Sequence, residues 1–289
     1  MIGVFIMDKR VLILGASGLV GSALMGELGN RPGIDVVGTC YSNPKEDLVS
    51  LEMQSNHNIN ELIDKVRPND IYIAAYMANV DKCETDGYTR VVNVDGVKSV
   101  VAAAKKVNAR VVFFSSSYVF DGSKTDAYTV WDLPMPSQQY GLQKLMGEIA
   151  VLNSDKRNVV IRTVAVFGKE DKRKNFAYKI IDTLEQGNLV YVSLDQRVNP
   201  IHATKLASNS VNLVEDGFTG LVHIAGSDEV TKYDFALDIA SSFQLNTDYV
   251  VGVMDKDIPH KATRPWNGCL AGCTENSYQS ALETFYEQN

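Results

Sequence analysis

Only four cysteines, Cys40, Cys83, Cys269 and Cys273, occur among the 289 residues of the chain. They are too few and too scattered for a disulfide framework. The one close pair, Cys269 and Cys273, has neither the two-residue spacing nor the nearby histidines of a zinc site. No metal site is therefore expected, and a reducing cytoplasm is the expected compartment. Basic clusters are missing as well, and the net charge of −7 argues against a nucleic-acid surface. No apolar run reaches the length of a membrane span. The opening Met1-Ile-Gly-Val-Phe-Ile-Met7 lacks a basic flank and is too short for a signal peptide. With no nucleic-acid or membrane partner expected, and no repeats, low-complexity tracts or flexible linkers, the chain reads as one large domain or two closely joined ones.

What the chain does contain is Arg10-Val-Leu-Ile-Leu-Gly-Ala-Ser-Gly-Leu-Val-Gly21. Val11 to Leu14 are apolar without alternation, as in a parallel strand buried on both faces. Gly15, Gly18 and Gly21 follow, and then a helical stripe of Leu19, Val20, Ala23, Leu24 and Leu28. A strand, a glycine turn and a helix in that order form a phosphate-binding arrangement. One glycine makes the turn, one lets the chain approach a pyrophosphate, and one lets the helix pack on the strand. The three-then-three spacing of these glycines resembles the short-chain dehydrogenase/reductase superfamily in its extended branch.

Strands and helices alternate from residue 9 to 165, which predicts an α/β fold with a doubly wound parallel sheet of Rossmann type. Residues 1–168 read as the dinucleotide-binding part. Residues 169–289 read as a smaller substrate lobe interleaved with the main sheet. The second strand ends at Thr39-Cys-Tyr-Ser42 without the acid that commonly holds an adenosine ribose. Ser42 and Lys45 would tolerate a 2′-phosphate there, so the reading leans to NADP(H) over NAD(H), although no arginine is present to clamp the phosphate.

A strand at Val111 to Phe114 delivers Ser115-Ser-Ser-Tyr-Val-Phe-Asp-Gly122 to the edge of the crevice, and Tyr140-Gly-Leu-Gln-Lys144 opens a helix. Reduction of a carbonyl leaves an alkoxide that needs a proton, and Tyr140 can supply it if its pKa falls from about 10. Lys144, one helical turn on, faces the same way. Bringing the phenol down by three units takes roughly 4 kcal/mol, which an ammonium in a partly dry cleft can give. Tyr41 and Lys45 share the same spacing, but Pro44 lies between them in a loop, so they need not share a face. By superfamily resemblance Ser116, three residues before Val119, would bind the carbonyl oxygen. The same resemblance puts Glu52 near the adenine ring, where a solvated loop acid is the alternative, and has Asn93 hold backbone and water, where a surface amide is the alternative. His202, at a loop-to-helix junction, reads as packing or a cap before catalysis.

A narrower resemblance follows from Val80-Asp-Lys-Cys-Glu84, Tyr118-Val-Phe-Asp-Gly122, Tyr140 with Lys144, Asp195-Gln196 with Pro200, and Arg264-Pro265 with Leu270. In this order, along nearly the whole chain, they resemble the dTDP-4-dehydrorhamnose reductase family. That resemblance implies reduction of the 4-keto group of a nucleotide-activated deoxysugar, with catalysis by Ser116, Tyr140 and Lys144. Dinucleotide contacts would come from Gly15, Ser17, Gly18, Leu19, Val20, Ser42, Glu52, Ala75, Tyr140 and Lys144. Asp81, Lys82 and Glu84 would lie on a loop over the crevice. The substrate would meet Asp81, Glu84, Ser117, Asn175 and Arg264, the arginine being suited to a pyrophosphate as a permanent bidentate cation. Some family members use magnesium at a dimer contact; the resemblance leaves open whether this chain does, and a homodimer is allowed. Two departures stand out. Ser115-Ser116-Ser117 replaces the usual Ser-Thr-Asp, so Ser117 offers a hydroxyl where a carboxylate is common. Asn267-Gly268 replaces a common Asn-Ser pair. An epimerase or dehydratase of the same fold is the second enzyme reading. A dinucleotide-binding regulatory subunit, like the beta subunit of methionine adenosyltransferase, is the non-catalytic one.

Overall fold

A computed structural model describes residues 9–272 and 277–289; Met1 to Met7 and Cys273 lie outside them. In chain order the first half contains β1 (Lys9–Leu14), α1 (Leu19–Gly29), β2 (Ile34–Cys40), β3 (Val49–Ser50), α2 (Asn56–Val66), β4 (Asp70–Ile73) and α3 (Val80–Thr85). A short helix, α4 (Tyr88–Arg90), runs through a π turn at Val91–Asp95 into α5 (Gly96–Val107). Then come β5 (Arg110–Ser116), α6 (Gln139–Leu152) and β6 (Val159–Thr163). The last part holds β7 (Val166–Phe167), α7 (Phe176–Glu185), β8 (Val190–Ser193), β9 (Arg197–Val198), β10 (Ile201–His202), α8 (Ala203–Glu215), β11 (Gly220–His223), β12 (Val230–Thr231), α9 (Lys232–Ser242), β13 (Val250–Val253) and α10 (Tyr278–Glu287).

Seven strands form one sheet in the order β11-β6-β5-β4-β1-β2-β3, every neighbouring pair parallel. Successive side chains of a strand point to opposite faces, and here both faces are covered. Leu12, Leu14, Ile71, Ile73, Val111 and Phe113 pack against α2 and α5 on one side. Val11, Ile13, Tyr72, Val112 and Ile161 pack against α1 and α8 on the other. Each such side chain contributes roughly 1.5–3 kcal/mol by leaving water. This is why the strands read as unbroken apolar runs.

The last third divides among three cores, the smallest of which joins Val198, Ala225 and Leu270 to Phe120 and Tyr128. Helix α8 and strand β11 join the main sheet. Phe167, α7, α9, α10, Val192 and Val250 form a separate aromatic-rich cluster. The chain reverses direction across the sheet between β1 and its neighbours β2 and β4. In an open parallel sheet this is where a crevice opens beyond the strand ends.

Candidate active site

Gly15 ends β1 with φ of +85°, and a Cβ there would lie 2.6 Å from the Ala75 backbone nitrogen. Thr39 of β2 holds this turn, its hydroxyl accepting the Gly15 N–H at 3.1 Å and its carbonyl the Ala16 N–H at 2.7 Å. A Cβ at Gly21 would overlap the Gly15 carbonyl oxygen, so α1 lies directly on the turn. Gly18 caps α1 without a side-chain hydrogen bond. The amides of Leu19 and Val20 therefore begin a helix whose positive end no side chain neutralises, beside half-buried Ser17. This cradle, closed to a Cβ at Gly15 and Gly21 and open at the helix end, fits a dinucleotide pyrophosphate.

Strand β5 carries Ser116 to the other side of the crevice, where its hydroxyl accepts the Tyr118 N–H at 3.2 Å. Helix α6 is pressed against the same turn: a Cβ at Gly141 would overlap the Tyr118 carbonyl oxygen. Its first turn is pinned twice, by the Gln138 side chain accepting the Gly141 N–H at 2.6 Å and by Glu84 accepting the Gln139 N–H at 2.9 Å. Glu84, with Asp81 and Lys82, sits on the short helix α3 and not on a loop. Tyr140 is thereby held edge-on between the rings of Tyr76 and Tyr118, at centroid distances of 5.6 and 5.7 Å.

Lys144 is buried, donates to the Phe114 carbonyl at 2.7 Å, and sits 3.4 Å above the Tyr76 ring and 5.9 Å from that of Tyr140. Burial pushes its pKa down to about 7. Burial also raises the Tyr140 phenol, against a hydrogen bond from Ser116. The one-turn spacing of the two residues predicts instead that the lysine lowers the phenol. In this cleft desolvation prevails on both groups, outweighing the charge of Glu148 at the lysine and the Ser116 hydrogen bond at the phenol.

Supporting polar groups lie beneath. The π turn brings Asn93 inward, a geometry frequent at functional sites. Its carbonyl accepts the Met77 N–H at 2.9 Å and its amide donates to Gln143 at 2.7 Å, so it is buried structure and not a surface amide. Glu148 and Arg162 form a buried ion pair at 2.7 Å, and Ser115 donates to the same glutamate.

The remaining sequence-chosen residues fall in several places. Asp81 accepts the N–H groups of Lys261 and Ala262 and pairs with Arg264 at 2.9 Å. Although burial pushes its carboxyl up, these donors hold it below the usual range. Ser117 is fully buried under Gly268, its hydroxyl without a hydrogen-bond partner. Asn175 caps α7 and donates to the Gly168 carbonyl at 2.9 Å. Glu52 is half-buried and accepts from Gln54. Ser42 is exposed and meets Lys172. His202 caps α8 and is pushed down to about 4 by burial. No sequence motif marks Tyr76, Gln143 or Lys172. Tyr76 could have been picked out by its place just past a strand end; the other two become visible only through their partners. Among the described residues no cluster of three or more His, Cys, Asp or Glu side chains could hold a metal. No helix among them is long and apolar enough to cross a membrane.

The chain is similar to proteins already known. The family described as RmlD substrate binding domain matches residues 9–286. The dTDP-4-dehydrorhamnose reductase of Aggregatibacter actinomycetemcomitans is 30% identical over 275 residues, which cover 90% of each chain. Methionine adenosyltransferase 2 subunit beta of Xenopus laevis is 29% identical over 269 residues, covering 90% of this chain and 79% of that one. The crystal structure of dTDP-4-dehydrorhamnose reductase from Bacillus anthracis in complex with NADP has a TM-score of 0.88 and 24% identity, covering 98% of this chain and 100% of that one.

Proposed function

Because the chain belongs to the RmlD substrate binding domain family, we propose that it reduces the 4-keto group of a nucleotide-activated deoxysugar, as a dTDP-4-dehydrorhamnose reductase does. It is an NAD(P)-dependent oxidoreductase of the short-chain dehydrogenase/reductase superfamily. The observation that carries the reading is the grouping of Ser116, Tyr140 and Lys144 across a crevice from the glycine turn.

The turn from Gly15 to Val20 would hold the pyrophosphate, and Ala75 would border it. When bound, the dinucleotide supplies a hydride to the sugar carbon. Ser116 anchors the carbonyl oxygen with its hydroxyl. Tyr140 keeps its proton until that oxygen becomes basic, then gives it from Oη. The phenolate so formed is stabilised by the Lys144 ammonium, which the Phe114 carbonyl and the Tyr76 ring aim into the cleft. The sugar nucleotide is assigned to the side formed by residues 169–289, with Arg264 toward its pyrophosphate. NADPH is the proposed cofactor, supported by the uncharged end of β2 and by the NADP complex of the Bacillus anthracis protein. We assign the protein to the cytoplasm, with a homodimer as the assembly to test by sedimentation.

The test is NADPH oxidation on addition of dTDP-4-dehydrorhamnose, with Tyr140→Phe as control. A panel of dTDP-, UDP-, GDP- and CDP-sugars, scored by the rise in melting temperature, identifies the nucleotide. The likeness to methionine adenosyltransferase 2 subunit beta supports a second reading, a regulatory subunit without turnover. A stoichiometric enzyme partner in a pull-down, beside absent turnover with every keto sugar, would replace the first reading by the second.

A further inference from the structure

The segment after Gly168 folds back onto the loop that follows β2. Lys172 donates to the backbone carbonyl of Ser42 and to its hydroxyl, the latter at 3.2 Å, across 130 residues of sequence. Lys45, on that loop, pairs with Asp171 at 2.6 Å. Lys169 donates to the Gln288 carbonyl at 2.7 Å. Beside the Lys172–Ser42 contact lies a cavity of about 270 Å³, bordered by Ser17 of the glycine turn together with Lys45, Lys169, Glu170, Asp171 and Gln288.

The charges here are unevenly satisfied. Asp171 is held below its ordinary carboxylate range by Lys45. Glu170 is occupied by the N–H groups of Lys174 and Asn175. Lys169 and Lys172 donate to neutral oxygens; Asp171 lies within electrostatic reach of Lys169, and no ion pair is formed by Lys172 among the described residues. Two exposed ammonium groups, fixed by neutral acceptors beside the turn that binds a dinucleotide, form a site for a dianion at the adenosine end.

We propose that Lys172, assisted by Lys169, recognises the 2′-phosphate of NADP(H), so that the cofactor-selecting charge comes from the substrate-lobe segment and not from the β2 strand end. Ser42 positions Lys172, which explains how a strand end with neither acid nor arginine could still select. The inference rests on the dinucleotide reading above and adds the source of its selectivity.

The test is isothermal titration of the full chain with adenosine 2′,5′-bisphosphate and with 5′-AMP, and separately with NADP+ and NAD+. For Lys172→Gln, which can still hydrogen-bond Ser42, the affinity for the bisphosphate and NADP+ should fall about tenfold, and that for 5′-AMP and NAD+ by less than twofold. Lys172→Arg should keep the wild-type ratio. The wild-type preference should shrink with added salt, as screening weakens an exposed charge pair. Equal losses on both probes, or no loss, would mean that Lys172 only fastens the two segments together and would overturn the inference while leaving dinucleotide binding intact. A wild-type protein that binds neither dinucleotide would overturn the reading beneath it as well.

Discussion

Asp81 and Arg264 meet at 2.9 Å across 183 residues of sequence, and the same carboxylate accepts two backbone N–H groups of the segment that carries the arginine. Arg264 is mostly buried beside it. An arginine with one face spent on a carboxylate keeps its remaining donors in a fixed direction. In Asp81→Asn the backbone contacts can persist while the charge pairing is lost. We expect KM for the sugar nucleotide to rise roughly tenfold, equivalent to about 1.4 kcal/mol, with dinucleotide affinity unchanged. A matching loss of dinucleotide affinity would show that the pair supports the whole cleft.

Gly141 has no room for a side chain beneath the Tyr118 carbonyl. Gly141→Ala should force α6 away from the Ser116 turn. The expected cost is about 1–3 kcal/mol of stability, and kcat should fall further than stability alone explains, because Tyr140 moves with the first turn. Denaturant melts and steady-state rates measured on the same preparation check both. An unchanged kcat would show that the phenol tolerates the shift.

Lys144, with a pKa of about 7, has a visible consequence for pH dependence. The proposed reaction calls for a protonated Tyr140, which burial keeps protonated well into alkaline solution, and a charged Lys144. The value of kcat/KM, which reports the enzyme before its ligands bind, should therefore hold below about pH 7 and decline above it. Lys144→Met should show a lower rate without that limb. A wild-type profile flat to pH 9 would contradict the assignment.

His202 and His223 are buried and held neutral, each pushed down to about 4. Their unfolded value is near 6.5. The unfolded chain thus binds more protons between pH 4 and 6.5, so stability is fully present above 6.5 and falls through that window by roughly 3 kcal/mol per histidine. Unfolding at pH 6.5 and 4.5 measures the slope. His223→Gln, whose amide can still donate toward the Tyr128 and Ala271 carbonyls, should flatten it. An unaltered slope would show that His223 already titrates normally.

Much of the glycine turn and of the helix that carries Tyr140 was legible because each is local. Gly15, Gly18 and Gly21 lie within seven residues, and Tyr140 and Lys144 within one helical turn, so spacing alone orders them. The π turn at Val91–Asp95 was not legible. Its inward turn of Asn93 toward Met77 and Gln143 depends on partners from other segments. The burial of Ser117 was also hidden, since it depends on Gly268, about half the chain away.

By itself the sequence determined the alternation of strand and helix, the glycine turn and the spacing of phenol and amine, since each arises from backbone preference and side-chain pattern over a few residues. The tertiary structure alone decided that Asp81 would restrain Arg264, that Lys172 would reach Ser42, and that burial would drive Lys144 and Tyr140 toward their neutral forms. Those outcomes depend on which distant segments share a crevice and how much water they exclude, and no stretch of chain encodes that alone.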